Sequence, residues 1–319
     1  MTSVRGNIFR FIMRTTNNIN PFSHPDAVKR MRTMAEPYIN DKMPKGYTLE
    51  KLRTQNGVDY QRIRKNGAKR TDKVIYFLHG GAYISGLIDM YRTFTADFCS
   101  IDDGIEIVLL DYKLAPEYKY PSQLNEAEEL WSELTEKQGY RSKNIIIGGD
   151  SSGGNLALAL LLKLRDEGKE MPLGAFLISP WCDMTASGDS YIYNYNNDVE
   201  MGEKRAKVTQ DKLDKILASD LYCYLGSADR TNPYVSPIYG DYRGFPPILF
   251  AVGDHEMLLD DTLKVVDKLK KASVPVICER KPKMFHTYVL MKNYMPESKE
   301  SYDRIVAFIR DLYDNSRRV

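Results

Sequence analysis

The chain has 319 residues, of which 43% are hydrophobic and 28% are charged, a composition that excludes an intrinsically disordered protein. Its 45 basic and 43 acidic residues give a net charge of +2, so we expect no nucleic-acid partner. The four cysteines form no CxxC pair, which favours free thiols and a cytoplasmic location over structural zinc or a disulfide framework.

The first apolar run along the chain covers residues 8–13 and is interrupted by Arg10. It is too short for a signal peptide, and the sequence contains no stretch of about 18 apolar residues. We therefore expect no stable membrane insertion. The run is interpreted as a helix that packs on the body of the protein, with a membrane-surface anchor as the alternative.

From about residue 45, strand-like and helix-like segments alternate. Short apolar runs bounded by Gly or Pro predict buried strands at Val74–Leu78, 105–110, 145–147, 175–179, 247–252 and 274–279. Helical patterns cover about 123–138, 154–166, 259–272 and 299–313. This alternation predicts an α/β fold with a mostly parallel sheet and helices on both faces.

Two segments interrupt the alternation, residues 1 to about 45 and about 183–230. An insertion after a strand lies at the sheet edge where open α/β sheets bind ligands, so we predict that the two segments form a helical cap over the site. The alternative is a surface excursion without a role. A single domain over 1–319 is expected, with its core at 46–182 and 231–319. Tyr193, Tyr195 and Tyr224 either line the pocket or, as we prefer, fill the cap core.

A glycine-flanked serine carries the strongest local signal. The motif Gly149-x-Ser151-x-Gly153 directly follows predicted strand 145–147 and precedes a predicted helix. On such a sharp turn the serine Oγ stands above the sheet, and the flanking glycines avoid side-chain clashes. Ser152 does not fit the motif, because Asp150 stands where a glycine is required. Ser151 is therefore the predicted nucleophile.

A second glycine turn, His79-Gly80-Gly81, follows strand Val74–Leu78. Two backbone N–H groups turned inward there, together with the N–H of Ser152, would hold a developing oxyanion. The alternative is an ordinary glycine turn.

A serine nucleophile needs a base, and histidine is the usual one. The chain has four: His24 in the N-terminal extension, His79 in the glycine turn, and His255 and His286 after the serine. The base of such a fold follows the nucleophile, which leaves the last two. His286 is preferred, because it lies just beyond the last predicted strand.

These residues together resemble the hormone-sensitive-lipase-like branch of the α/β-hydrolase esterases over about residues 76–288. The matching motifs are HGG at 79–81, DYKLAPE at 111–117, GDSSGGN at 149–155, SPW at 179–181 and NPYVSP at 232–237. The resemblance implies an α/β-hydrolase fold with a helical cap. It also implies Ser151 as nucleophile, His286 as base, and Gly80, Gly81 and Ser152 as oxyanion donors.

The triad acid departs from the family pattern, Asp-Pro-Leu-x-Asp. Here residues 253–260 read GDHEMLLD, and aligning Leu258 and Asp260 with the motif puts Glu256 in the place of the aspartate. A glutamate can also do this work, because the task is to accept the imidazole Nδ1–H and to stabilise the imidazolium. Asp254 is the alternative acid, and Asp260 is interpreted as structural, a candidate cap of the helix that follows.

The sequence thus predicts a serine carboxylesterase for short- to medium-chain acyl esters, acting through an acyl-enzyme without metal or organic cofactor. A small-molecule receptor on the same scaffold and an amidase or deacetylase are the alternatives. The expected partner is a small ester, and a homodimer is left open.

Overall fold

The computed structural model of the protein describes residues 2–16, 26–69, 72–102, 104–203 and 208–316. Within these ranges, eight strands form one sheet in the order β1-β2-β4-β3-β5-β6-β7-β8. The strands are β1 Tyr47–Arg53, β2 Asp59–Lys65, β3 Val74–Leu78, β4 Glu106–Leu110, β5 Ile145–Asp150, β6 Gly174–Ile178, β7 Ile248–Gly253 and β8 Val276–Lys281. β2 pairs antiparallel with β1 and β4, and all other pairs are parallel, which confirms the predicted mostly parallel sheet.

Helices cover both faces of the sheet. They are α1 Val4–Thr16, α2 Ala27–Ala35, α3 Asp89–Ala96, α4 Ser122–Ser132, α5 Ser151–Asp166, α6 Ser190–Tyr193, α7 Gln210–Leu217, α8 Leu259–Lys271 and α9 Pro296–Ser316. Side chains of β3 alternate between two cores, because successive strand residues point to opposite faces. Ile75 and Phe77 pack with α3 and α9, whereas Val74, Tyr76 and Leu78 pack with α4, α5 and α8.

The β1–β2 hairpin and α3 are absent from the sequence-based prediction. Both hairpin strands, YTLEKLR and DYQRIRK, are rich in charged residues. β1 is the edge strand of the sheet, β2 lies next to it, and residues of both stay partly exposed. Their composition therefore lacks the apolar run that identifies buried strands. α3 has only eight residues, too few for a clear helical period. The predicted helix 123–138 ends earlier, at Ser132, and continues as the π-helical turn Glu133–Lys137.

The N-terminal segment and the 183–230 segment, which both interrupt the alternation of strands and helices, contact each other. The carboxylate of Asp220 accepts the backbone N–H groups of Ala27 at 2.9 Å and Val28 at 3.2 Å, which joins the insertion to the start of α2. His24 lies outside the described residues. In the described ranges, no helix combines the length and the hydrophobicity needed to span a bilayer.

Candidate active site

Ser151 occupies a strained turn between β5 and α5. Its φ of +51° lies in the left-handed region that non-glycine residues seldom adopt. The glycines on either side are required by close backbone contacts: a Cβ on Gly149 would overlap the carbonyl of Gly153, and a Cβ on Gly153 would overlap the carbonyl of Leu78. The turn projects Ser151 at the carboxyl end of the sheet, where the sequence motif predicts it.

The structure brings His286 and Glu256 to this serine. His286 lies in the loop after β8, and its Nε2 is 2.9 Å from Ser151 Oγ. Its Nδ1 is 3.4 Å from Oε2 of Glu256, which is fully buried in the turn after β7. The other oxygen of Glu256 accepts hydrogen bonds from Ser179 Oγ at 2.7 Å and from the N–H of Gly253. Carboxylate, imidazole and hydroxyl are thus connected in the order that proton transfer requires.

The neighbouring acids point elsewhere. Asp254 forms an ion pair with Arg280 at the surface and does not contact His286 among the described interactions. Asp260 lies inside α8, which begins at Leu259, and accepts the N–H of Ser190 at 2.9 Å. It therefore connects α8 to α6 instead of capping the helix that follows.

The other described histidines are engaged away from the serine. His79 stacks on the ring of Tyr112 at 4.1 Å between centroids, and its Nδ1 donates to the carbonyl of Gly80 at 2.7 Å. Burial lowers the pKa of His79 to about 4, so the ring is neutral at pH 7. Nδ1 of His255 accepts a hydrogen bond from Arg10 at 2.9 Å, and burial followed by the Arg10 charge lowers the pKa of His255.

The glycine turn differs from the prediction in one position. The N–H of Gly80, predicted as an oxyanion donor, already donates to Asp150 Oδ1 at 2.9 Å and is not free for a ligand. Among the described residues, no acceptor is bonded to the N–H groups of Gly81, Ala82 or Ser152. Gly81 and Ala82 both line the cavity, with φ values of +112° and +54°. Ala82 is not among the donors predicted from the sequence, although it directly follows the two glycines.

Asp150 is a further residue to which the sequence analysis gave no role. Its second oxygen accepts the hydroxyl of Tyr91 at 3.1 Å, and burial raises its pKa to about 7. A Cβ on Gly80 would overlap this carboxylate, so the glycine is needed for the close approach. Asp150 therefore fixes the glycine turn against the serine turn, and its position inside the GDSSGGN motif is the signal that could have identified it.

Asn155 explains why the distant motifs occur together. Its Nδ2 donates to the carbonyls of Trp181 at 2.7 Å and Val235 at 2.9 Å, and its Oδ1 accepts the hydroxyl of Tyr83 at 2.7 Å. One buried amide in α5 thus connects the SPW, NPYVSP and glycine-turn segments around the serine.

A cavity of about 630 Å³ opens above Ser151 and His286. α1, α2 and the 183–230 segment contribute to its wall, which is rich in thioether side chains: Met13, Met31, Met34, Met90, Met201 and Met291. The three tyrosines considered above do not line it. Tyr195 and Tyr224 are buried in the hydrophobic core that also contains residues of β3 and α5, whereas Tyr193 is exposed.

Acidic groups dominate the electrostatics around His286. Burial alone would lower the pKa of His286, but the hydrogen bond to Glu256 and the negative charges of Glu200, Glu256 and Asp198 raise it to about 9. Glu200 lies in the cavity wall and accepts a hydrogen bond from the hydroxyl of Thr287 at 3.3 Å. Desolvation raises its pKa to about 7, although the charge of His286 acts in the opposite direction.

An alkaline pH dependence is expected from this arrangement. A general base, the role predicted for His286, must be unprotonated, and a raised pKa keeps this imidazole protonated over a wider range of pH. We expect kcat/KM for a neutral ester to rise with pH through the neutral range, with its midpoint near the pKa of about 9, and to level off only above it. A pH–rate profile in buffers of constant ionic strength measures the acid limb, and a midpoint at or below the ordinary histidine value of 6.5 would contradict it.

Comparisons with known proteins identify the family of this fold. The family model described as "alpha/beta hydrolase fold" matches residues 75–290. An esterase of Acinetobacter venetianus is 32% identical over 240 residues, covering 75% of each chain. An acetyl-hydrolase of Streptomyces hygroscopicus is 31% identical over 245 residues, covering 76% of this chain and 77% of that protein.

Solved structures extend the likeness to nearly the whole chain. EstE5, soaked with p-nitrophenyl butyrate, has a TM-score of 0.83 and 29% identity, covering 98% of this chain and 99% of that one. An esterase from the bacterial hormone-sensitive lipase family has a TM-score of 0.80 and 29% identity, with the same coverage. The chain belongs to the α/β-hydrolase fold family, and within it to the hormone-sensitive-lipase-like esterases.

Proposed function

We propose that the protein is a serine carboxylesterase that hydrolyses short- to medium-chain acyl esters through an acyl-enzyme. The observation that carries the proposal is the 2.9 Å contact between Ser151 Oγ and His286 Nε2 at the floor of the cavity. Relatives named esterase and acetyl-hydrolase support the same class of reaction.

In the proposed reaction, His286 Nε2 takes the proton of Ser151 as Oγ attacks the ester carbonyl. Glu256 accepts the Nδ1–H of His286 and stabilises the imidazolium that forms. The proton then passes to the departing alkoxide, and an alcohol and an acyl-enzyme result. A water molecule, deprotonated by His286, attacks the acyl carbonyl, and collapse of this second intermediate returns the proton to Ser151 and releases the acid.

The backbone N–H groups of Gly81, Ala82 and Ser152 are the proposed oxyanion donors. Gly81 and Ala82 line the cavity, and Ser152 lies in the first turn of α5, where N–H groups have no intrahelical acceptor. Each such donor contributes about 2.7–4 kcal/mol to transition-state stabilisation. No step of this mechanism calls for a metal ion or an organic cofactor.

The cap supports the preference for small esters. We propose that residues 1–45 and 183–230 act as this cap and the remainder as the catalytic core of one domain. The cavity of about 630 Å³ has a size typical of small-molecule sites, and its wall is mainly apolar. We place the enzyme in the cytoplasm, with a small ester as its partner.

Hydrolysis of a p-nitrophenyl ester series from acetate to palmitate tests the function. We expect turnover to be highest for short to medium acyl chains, because these fit the capped cavity, and to fall for long chains. Heat-unfolded protein serves as the control for spontaneous and non-specific hydrolysis. No turnover of any ester by folded protein would contradict the proposal and favour a small-molecule receptor, for which ligand binding is then measured.

A further inference from the structure

A buried carboxylate beside the proposed triad, Asp198, has no part in the mechanism above. It lies in the cap segment between α6 and α7 and is 2% exposed. A carboxylate removed from water is unfavourable unless hydrogen bonds replace the solvent. The partners of Asp198 therefore identify what this side chain holds in place.

The Asp198 carboxylate accepts backbone N–H groups from three parts of the chain. Oδ1 accepts hydrogen bonds from the N–H groups of Glu200 at 3.1 Å and Met201 at 3.2 Å, which fix the turn that contains Asp198. The same oxygen accepts the N–H of His286 at 3.5 Å. Oδ2 accepts the N–H of Met257 at 3.0 Å. Met257 directly follows the proposed acid, so one cap side chain connects the acid turn with the base itself.

A second cap residue holds the same acid turn. Nδ2 of Asn194 donates to the carbonyl oxygens of Asp254 and Glu256, both at 2.8 Å. Asn194 and Asp198 together bind two carbonyls and one N–H of the turn. The segment between them is therefore fixed to the core at this point and does not behave as a freely opening lid.

The base loop is held from two sides. The N–H of His286 donates to Asp198, which belongs to the cap. The next N–H, that of Thr287, donates to Ser179 Oγ of the core at 3.0 Å. Ser179 Oγ also donates to Glu256 at 2.7 Å. The core and the cap thus each supply one side chain that links acid and base.

We propose that Asp198 is a positioning residue, which holds the turn of Glu256 and the loop of His286 at their working separation across the junction of cap and core. The inference rests on the proposed esterase function. The separation is sensitive, because the 3.4 Å between His286 Nδ1 and Glu256 Oε2 is already long for a hydrogen bond. A displacement of about 1 Å can lower a rate about 10²-fold.

Asp198 also acts on His286 by its charge. His286 is faced by Glu256 from the turn after β7, by Asp198 and Glu200 from the cap, and by Asp150 from the end of β5. On its other side, Asp198 interacts electrostatically with Arg10 and His255. Loss of the negative charge at residue 198 would therefore make the imidazolium of His286 less favourable.

The substitution Asp198→Asn tests both effects. One acceptor oxygen of the side chain becomes an NH₂ group. Depending on which oxygen is replaced, the N–H of Met257 loses its acceptor, or the N–H groups bound to the other oxygen, including that of His286, lose theirs. We expect kcat per active site to fall about 10- to 100-fold with a smaller change in KM. The NMR titration of His286 should move to lower pH. Asp229→Asn is the matched control, because Asp229 lies in the same insertion but, within the described part of the chain, its side chain accepts hydrogen bonds only from the N–H and the hydroxyl of nearby Thr231.

A purely structural role predicts a different result. It would lower Tm and the fraction of active enzyme, but kcat per active site and the His286 titration would equal those of wild type, and that outcome overturns the inference. If Asp198→Asn does not fold, Asn194→Ala is the second test, because it loosens the same segment but keeps the negative charge of Asp198. A reduced kcat with an unshifted titration of His286 supports the inference. An unchanged kcat overturns it. The titration needs no ester turnover, which separates this test from that of the proposed function.

Discussion

Replacement of Ser151 by alanine is expected to lower kcat for ester hydrolysis about 10⁶-fold, as removal of the nucleophile does in subtilisin. The adjacent hydroxyl cannot take its place, because the Oγ of Ser152 is buried and accepts a hydrogen bond from the N–H of Tyr83 at 3.3 Å. Steady-state kinetics on p-nitrophenyl butyrate measures the loss, and mass spectrometry after treatment with a sulfonyl fluoride reports whether the site still forms a covalent adduct.

The fold of this variant should be preserved, since Ser151→Ala removes one hydroxyl at a partly exposed position. Ser316→Ala, in the last turn of α9 and remote from the cavity, is the matched control and should retain wild-type kcat and adduct formation. Wild-type turnover by a folded Ser151→Ala protein would refute the nucleophile. Loss of turnover together with loss of cooperative unfolding would reveal a folding defect. The nucleophile would then be assigned by mass spectrometry, from the residue of the wild-type protein that carries the sulfonyl adduct.

The serine turn and the parallel strands could be predicted because both depend on local sequence. β3 is a continuous apolar run, β5 begins with three isoleucines, and the contact that requires Gly149 lies within the turn, at the carbonyl of Gly153. The β1–β2 hairpin could not be predicted in this way, because its polar composition reflects an edge position that only the assembled sheet defines.

Hydrogen bonds between distant segments explain what the sequence analysis missed at the site. The N–H of Gly80 is a suitable donor by sequence, yet it is occupied by Asp150, a contact that only the folded chain reveals. Asp198 lies in a segment interpreted as an addition to the sheet, and no local pattern indicates that it contacts His286 and Met257. Residue type and spacing can propose the reacting groups, but their partners follow from the packing of segments that are distant in the sequence.

The choice of triad acid gives the second large expected effect. Glu256→Gln should lower kcat about 10⁴-fold, by analogy with replacement of the triad aspartate by its amide, because the amide favours the wrong imidazole tautomer. In addition, the two oxygens of Glu256 accept hydrogen bonds from Ser179, Gly253 and His286. An amide keeps only one of these oxygens and therefore cannot accept all of them. The pH dependence of the residual activity should also change, since the hydrogen bond that raises the pKa of His286 is weakened.

Asp254→Asn is the matched control for this substitution, two residues away in the same turn. Asp254 forms an ion pair with Arg280, with half of the Arg280 side chain and 29% of the Asp254 side chain exposed, so its loss should cost at most about 1 kcal/mol of stability. We expect its kcat to stay within about threefold of wild type, since a surface pair of this strength does not act on the reacting atoms. Steady-state kinetics of both variants at several pH values decides the assignment, because a greater loss of kcat in Asp254→Asn than in Glu256→Gln would transfer the role of the acid to Asp254. Comparable losses would mean that neither carboxylate alone orients His286, and that the whole turn, held by Asn194 and Asp198, is the unit on which the base depends.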